Sequence, residues 1–358
     1  MTHYDGPTQR LHLIRIAYGL LGIGCLALLG SLFVWSDGPR VRYATMSCQY
    51  DVLYGTAGPV DAVVVGTSRA QRGVSIETLA TDLGLNPVSV GAVNIARGGR
   101  GPGQLYQQLV DLDAERGIDG PIIFEYTPSD MAFWRSKPLY YQYTPNFAVN
   151  VPARQFVEDW RSKPREPAYS RLRDLLGQAQ VRLDASLQAM LMGSVSRNPD
   201  VPLAERPPAS AQTCITAAGK VQTAGQRRQM QRRERQVSKQ VGAGGSWRDL
   251  PPAVDDLGLV NQDRQNYYVG KVIAFARARG VPIAIVVMPG YLEAPPASEV
   301  LQDFQRRFGV PLLYPPLAVR EQLNDPAFFQ DAYHLNSDGS AVFARWLAGQ
   351  ILAARDAA

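Results

Sequence analysis

A serine near one end of the chain is the first residue whose setting suits chemistry. Ser68 lies in the stretch 66–69 (GTSR), directly after the apolar run 60–65. A serine in the tight turn between a buried strand and a helix is exposed above the sheet edge, beside backbone N–H groups that attract an anion. This geometry suits an attacking hydroxyl with part of an oxyanion hole. The alternative is a turn of small residues without chemistry.

An aspartate–histidine pair near the other end would activate that serine. A serine hydroxyl is a weak nucleophile until a base takes its proton, and a carboxylate that fixes the tautomer of the base assists it. Asp331 precedes His334 by three positions, in a predicted loop before the last helix. The other histidines, His3 and His12, lie in the N-terminal tail. His334 is therefore the candidate base, and a packed or surface histidine is the alternative.

A glycine-rich stretch supplies a third element. Gly99 lies in residues 94–100 (NIARGGR), after the predicted strand 88–95. Glycine lets a backbone N–H approach an oxyanion closely. The alternative is a plain glycine-rich turn.

The elements that must position these residues alternate along the chain. Apolar runs predict strands, and helical patterns separate them. The predicted strands are 60–65, 88–95, 121–126, 283–288 and 310–314; the predicted helices are 75–83, 102–116, 264–279, 298–308 and 338–354. This alternation predicts a parallel α/β sheet covered on both faces, with ligands bound beyond the carboxyl ends of the strands.

Residues 137–259 interrupt this alternation and carry the positive charge. Segment 161–250 has 16 Lys and Arg against 7 Asp and Glu, so the net charge of +5 is a local +9 on a body of −4. We interpret it as a basic, partly helical insertion, with helices near 152–162 and 169–192 and a flexible part near 195–255. Such a charge run is ordinarily a solvated surface; the alternative is attraction to an anionic polymer or to lipid headgroups. Few aromatic residues interleave with the arginines, so no nucleic acid is expected.

Composition excludes several other classes. Apolar residues are 46% and charged residues 19%, which allows a sizeable core and excludes global disorder. The chain has neither a CxxC nor an HExxH motif, so no metal site and no cofactor is predicted.

Residues 16–35 are uncharged and apolar, which predicts a transmembrane helix. Twenty residues of helix span about 30 Å, the thickness of one hydrocarbon core. The alternative is a cleaved signal peptide, which the lack of a small-x-small cleavage pattern disfavours. We therefore expect a single-pass inner-membrane protein with a cytoplasmic tail (1–15) and a periplasmic body. In that compartment Cys48 and Cys214 could form a disulfide, the alternative being two unrelated thiols.

In this order, the motifs resemble those of the SGNH (GDSL-type) hydrolase superfamily. Residues 66–68 (GTS) are similar to its Gly-Asp-Ser block, and Gly99, five residues after Asn94, is similar to its second block. Asp331 and His334 match its final Asp-x-x-His.

The resemblance covers about 60–130 and 260–355. It implies a flavodoxin-like, three-layer α/β domain built from 36–136 and 260–358, with 137–259 as the insertion.

Two positions depart from the family pattern. Thr67 replaces the usual aspartate of the first block, and residues 124–131 (FEYTPSDM) lack the third-block asparagine that completes the oxyanion hole. Thr127, Ser129 or Asp130 could stand in for it. Arg69 and Asn94 are further possible oxyanion or substrate contacts.

The predicted anchor, the GTS block and the DxxHLN ending together resemble the cell-envelope branch, which includes the alginate O-acetylation proteins and DltD-type D-alanyl transfer proteins. This implies a membrane-anchored serine O-acyltransferase, with acetyl as the expected acyl group, that modifies an envelope or exported polysaccharide beside a membrane-bound O-acyltransferase partner. Ser68 would attack the acyl donor, His334 would act as base and Asp331 would orient it. The N–H groups of Ser68 and Gly99 would bind the oxyanion.

Two alternatives stay open. An esterase or deacetylase would use the same triad on water. A catalytically inactive scaffold that binds a polymer or an assembly partner would be favoured if Ser68 and His334 lay too far apart to meet at about 2.6–3.2 Å.

Overall fold

The fold is built on one parallel sheet. The computed structural model describes residues 58–85, 92–94, 102–126, 160–173, 222–242, 244–251 and 260–356, together with residues 158 and 176 and seven residues between 15 and 25. The strands are β1 (Ala62–Val65), β2 (Ala92–Asn94), β3 (Ile122–Tyr126), β4 (Ile283–Val287) and the two-residue β5 (Leu312–Leu313). Their order is β2-β1-β3-β4-β5 and every pairing is parallel, the flavodoxin-like order.

Helices connect these strands and follow them. The described helices with assigned bounds are α1 (Ser68–Gly73), α2 (Ile76–Asp82), α3 (Pro102–Arg116), α4 (Ala224–Val241), α5 (Val260–Arg279), α6 (Ser298–Phe308), α7 (Leu317–Leu323) and α8 (Ser337–Asp356). Short 3₁₀ turns occupy Trp247–Asp249 and Pro326–Phe328.

Each face of the sheet has its own apolar core. Side chains alternate along β1, so that Val63 and Val65 contribute to one core while Ala62 and Val64 contribute to the other. The first core is completed by α3, α5 and α6, and the second by α1, α2, α7 and α8. The three-layer parallel α/β architecture predicted from the alternating pattern is therefore present, with strand and helix bounds close to those predicted.

The basic insertion differs from its prediction in one part. Residues 195–255 are predicted to be flexible, yet they contain α4, a regular helix of 18 residues. A capping box at Thr223 and Gln226 starts this helix, and Met230 and Val237 are buried on one of its faces. Two apolar residues seven positions apart are enough to attach the helix to the body, although they leave little periodicity in the sequence.

The predicted transmembrane anchor has no counterpart among the residues that the structure describes. No helix among the described residues is long and apolar enough to cross a membrane. The seven described residues between 15 and 25 are helical and exposed, and they fall within eleven positions. The predicted transmembrane helix over 16–35 is therefore wrong. So is the localisation that depends on it, a single-pass inner-membrane protein with a periplasmic catalytic domain.

Candidate active site

The candidate nucleophile is the first residue of a short helix at the carboxyl edge of the sheet. Strand β1 ends at Val65, and after two residues Ser68 begins α1. Thr67 is the N-cap, because its backbone is extended and its hydroxyl accepts a hydrogen bond from the Arg69 N–H at 3.2 Å. The turn between a buried strand and a capped helix thus presents Ser68 beyond the end of the sheet.

The serine meets its predicted base across the fold. The Nε2 atom of His334 lies 2.9 Å from the Oγ atom of Ser68. The Nδ1 atom of the same ring lies 2.9 Å from both carboxylate oxygens of Asp331. A serine, an imidazole and a carboxylate in this order form a catalytic triad in their geometry. The separation that would have favoured an inactive scaffold is not observed.

The electrostatics of Asp331 suit its place behind the ring. Burial alone would raise the pKa of this carboxyl, but the hydrogen bond and charge of His334 lower it. The N–H groups of Tyr333 and His334 donate to the Oδ1 atom at 2.9 and 3.0 Å and lower the pKa further. The net shift is downward, so Asp331 is ionised near neutral pH and can orient the ring and stabilise an imidazolium.

The loop that carries the histidine is closed at its base. Phe329 and Leu335 form an antiparallel bridge, and the Gln330 N–H donates to the His334 carbonyl at 2.8 Å. The Asn336 side chain then accepts the N–H groups of Asp338 and Gly339, each at 3.0 Å, and so caps α8.

A second tie joins this loop to the nucleophile helix. The Arg72 guanidinium, in α1, donates to the Gln330 side chain at 2.6 Å. The loop and the nucleophile are therefore held to each other by more than the serine–histidine contact.

The backbone N–H groups on both sides of Ser68 donate hydrogen bonds within the site. The carboxylate of Glu125 accepts the N–H of Thr67 at 2.6 Å and that of Ala70 at 3.3 Å. The Thr67 hydroxyl accepts a hydrogen bond from the Arg69 N–H. Within the described part of the chain, the Ser68 N–H has no acceptor of its own, which leaves it available to an oxyanion.

Arg69 lies beneath the site in a buried ion pair. Its side chain is 1% exposed and makes hydrogen bonds of 2.6 and 3.4 Å to the Glu293 carboxylate. It also donates to the Met288 carbonyl at the end of β4. Burial would lower the pKa of Arg69, but the charge and hydrogen bond of Glu293 and the charge of Glu125 raise it. This placement makes Arg69 a link between the ends of β1 and β4, which does not favour a direct substrate contact.

The turn that brings Glu293 to this arginine has a strained residue. Leu292 has a φ of 50°, which a branched side chain rarely adopts. Its N–H donates to the Asn324 side chain at 3.2 Å, and its carbonyl accepts from Arg233 at 3.0 Å. Contacts from α7 and α4 therefore hold the turn in this conformation.

Helix α4 of the insertion lies against the loops of the site. Glu234 accepts the Tyr291 hydroxyl at 3.0 Å, and burial together with this carboxylate raises the pKa of Tyr291. The Tyr291 N–H in turn donates to the carbonyl of Ala332, which lies between Asp331 and His334 in the sequence. The Gln222 side chain, just before α4, donates to the Phe329 carbonyl at 2.8 Å. The insertion therefore helps to hold the loop that carries Asp331 and His334.

Other predicted site residues fall outside this geometry. Asn94 is the last residue of β2, at the same edge of the sheet. The residues Gly99, Thr127, Ser129, Asp130, Cys48 and Cys214 lie outside the described residues. Within the described ranges, no three His, Cys, Asp or Glu side chains come together as metal ligands would.

Two carboxylates of the site were not predicted. Glu125 has a signal in the sequence, since it is the one charged residue in the apolar run 121–126 (PIIFEY). A charge inside a buried strand implies a partner. Glu293 has no comparable signal, because it lies in a loop whose course depends on tertiary contacts.

Comparison with known proteins adds no identification. No protein-family model matches the chain, and neither a curated protein nor a solved structure matches it significantly. The functional argument therefore depends on the geometry of the site.

Proposed function

We propose that this protein is a serine-dependent acyltransferase of the SGNH type that passes an acyl group through Ser68 to a hydroxyl acceptor. The observation that carries this proposal is the 2.9 Å contact between the Ser68 Oγ and the His334 Nε2, with Asp331 on the far side of the ring. A hydroxyl, a base and an orienting carboxylate are the parts that nucleophilic acyl chemistry requires.

The acylation step follows from these positions. His334 takes the proton of the Ser68 hydroxyl as the oxygen attacks the carbonyl carbon of an acyl donor. The carbonyl oxygen becomes an oxyanion, which the Ser68 N–H can stabilise. His334 then gives its proton to the leaving group, the bond between that group and the acyl carbon breaks, and acyl-Ser68 remains.

Transfer to an acceptor repeats the steps in reverse. An acceptor hydroxyl gives its proton to His334 and attacks the acyl carbon, and the proton returns to Ser68 as the ester bond to the enzyme breaks. The resemblance to polysaccharide-modifying proteins favours a sugar hydroxyl as acceptor. A membrane-bound O-acyltransferase as the supplier of the acyl group stays a prediction.

One surface of α4 supports a polymeric and anionic acceptor. Arg228, Arg232, Arg235 and Lys239 are exposed, and we call them the basic stripe. At 100° per residue they fall within about 60° of the helix circumference and extend over about 16 Å. The buried Met230 lies on the opposite face of α4. That face packs in the same core as Ala332 and Leu335, in the loop that carries Asp331 and His334. The basic stripe therefore lies on the outer side of α4, facing away from the body, and a chain of negative charges would bind on that outer surface.

Hydrolysis is the second candidate function. The His334 side chain is 19% exposed, so water can reach the base. If water replaces the acceptor hydroxyl, the same residues make the protein an esterase or deacetylase.

The experiment that separates these functions follows the fate of the acyl group. The full-length protein is incubated with an acetyl ester, with and without an acidic or a neutral oligosaccharide, and Ser68→Ala serves as control. Transfer predicts acetylated oligosaccharide that is absent with Ser68→Ala. Free acetate at the same rate with and without acceptor would instead identify an esterase, and no Ser68-dependent release of either product would contradict the proposal.

A further inference from the structure

We infer that Glu125 is a positioning residue of the acylation step, which holds the nucleophile turn from below and leaves the Ser68 N–H as the amide available to the oxyanion. The inference depends on the proposed function, because it assigns a role within that reaction. It rests on the hydrogen bonds, burial and packing of Glu125 beneath residues 66–70.

The two carboxylate oxygens divide the donors of the turn between them. The Oε2 atom accepts the Thr67 N–H at 2.6 Å and the Ala70 N–H at 3.3 Å. The Oε1 atom accepts the Thr67 hydroxyl at 2.8 Å. Because that hydroxyl gives its proton to Glu125, its lone pairs point to the Arg69 N–H, which it caps at 3.2 Å. One carboxylate thus fixes, directly or through Thr67, the residues on both sides of Ser68.

The carboxylate belongs to the interior and does not face solvent. Glu125 is 2% exposed and Thr67 is 1% exposed. An unpartnered carboxylate at such a position would be strongly unfavourable. Here three donors of the turn satisfy it, and the charge of the buried Arg69 interacts with it. A negative charge near the start of a helix also interacts favourably with the helix dipole.

Packing shows that the turn is built around this side chain. A Cβ atom added to Gly66 would lie 2.6 Å from the Glu125 Oε2 and 2.7 Å from its Cβ. Cβ atoms essentially never lie this close to non-bonded atoms, so the backbone approaches Glu125 as closely as a residue without a side chain allows. Strand β3 therefore sets the position of the strand-to-helix turn that carries Ser68.

The Ser68 N–H is available to the oxyanion because the other amides of the turn already donate hydrogen bonds. With Thr67, Arg69 and Ala70 engaged, the Ser68 N–H is the one first-turn amide without an acceptor among the described residues. If Glu125 is removed, the N–H groups of Thr67 and Ala70 lose the carboxylate that holds them to β3, and the turn can rotate. A displacement of about 1 Å at a reacting atom costs about 100-fold in rate.

The test compares Glu125→Gln with a structural control in the same strand. Glutamine keeps the size of the side chain and an oxygen for the two amides, but its NH₂ group cannot accept the Thr67 hydroxyl. Ile122→Ala, which truncates a fully buried side chain of β3 away from the turn, is the control. The readout is the rate constant of Ser68 labelling by a fluorophosphonate, measured well below the melting temperature of each protein.

We expect Glu125→Gln to lower the labelling rate at least tenfold, and Ile122→Ala to leave it within about twofold while lowering the melting temperature. Equal labelling rates in the wild type and Glu125→Gln would overturn the inference. So would the same rate loss in Ile122→Ala, because the effect would then follow stability alone.

A second pair of variants decides the matter if Glu125→Gln does not fold. Thr67→Val removes the hydroxyl that connects Glu125 to the Arg69 N–H, and Thr67→Ser keeps it. The inference predicts a labelling rate at least tenfold lower in Thr67→Val than in Thr67→Ser, and equal rates would contradict it. Failure of the proposed function is distinguishable, since the wild type itself would then not be labelled at Ser68.

Discussion

The His334 Nε2 atom lies 2.9 Å from the Ser68 Oγ atom, although the two residues are 266 positions apart in the chain. Ser68 follows the second strand of the sheet order and His334 follows the last, at the same carboxyl edge. The contact is therefore a product of the doubly wound topology, which gathers the loops of distant strands at one side.

Asp331→Asn should disable acylation while leaving the fold intact. The amide keeps the size of the side chain but can present its NH₂ group to the His334 Nδ1 atom, which favours the wrong tautomer. We expect ester turnover to fall by about 10²- to 10⁴-fold. Asp325→Asn is the matched control, because it is an exposed helix cap in the same loop region that asparagine can replace. Full turnover in Asp331→Asn would contradict the assigned role.

Acid should remove the stability that Asp331 contributes. The pKa of this carboxyl is lower in the folded chain than its ordinary value of 3.8, so ionised Asp331 stabilises the fold above that value. This contribution is lost as the pH falls through the folded pKa. Denaturant titrations should therefore show a difference in unfolding free energy between the wild type and Asp331→Asn that shrinks as the pH falls below the ordinary value of 3.8. A difference that grows on acidification would contradict the direction of the shift.

Gly66→Ala should destabilise the nucleophile turn. The added methyl group would lie 2.6 Å from both the Ala70 Cβ and the Glu125 Oε2, so the backbone must move. We expect a loss of about 1–3 kcal/mol in the free energy of unfolding, together with a loss of ester turnover. In Gly270→Ala, the control, the new Cβ meets its nearest atom at an ordinary 3.9 Å, inside α5. That change should leave stability equal or raise it by up to about 1 kcal/mol. Similar effects of the two substitutions would contradict the close packing at Gly66.

Neutralising the basic stripe should weaken the use of an acidic acceptor. The variant carries Arg228→Gln, Arg232→Gln and Arg235→Gln, and we expect its KM for an acidic oligosaccharide to rise several-fold at low salt. Turnover of a small uncharged ester should be unchanged. The control neutralises three exposed arginines on other helices, Arg277, Arg306 and Arg345, and has the same net charge. An equal rise of KM in both variants would indicate an effect of net charge and contradict a binding role of the stripe.

Local sequence patterns predicted the serine, the histidine and the aspartate of the site, but not the two buried carboxylates beneath them. The apolar run before Ser68 and the Asp331–His334 spacing are local features, and their placement at strand ends followed from the alternating pattern. Glu125 and Glu293 act through contacts with residues 58 and 224 positions away. Such partnerships are set by strand order and loop conformation, which no short window of sequence contains.

Two further differences have separate physical causes. The apolar run 16–35 predicted a membrane helix on length and hydropathy alone, and the structure contradicts it within the described residues. Helix α4 was predicted as flexible because it is dominated by Arg and Gln; its two buried side chains and its capping box are weak sequence signals that become decisive only when the helix packs on the body.

The most direct test of the account is covalent labelling of the full-length protein by a fluorophosphonate, located by peptide mass spectrometry. The account predicts one adduct at Ser68, no adduct in Ser68→Ala and a labelling rate at least 100-fold lower in His334→Ala. Labelling of Ser68 that is unaffected by His334→Ala, or a Ser68 that does not react while a known serine hydrolase in the same tube does, would contradict the triad.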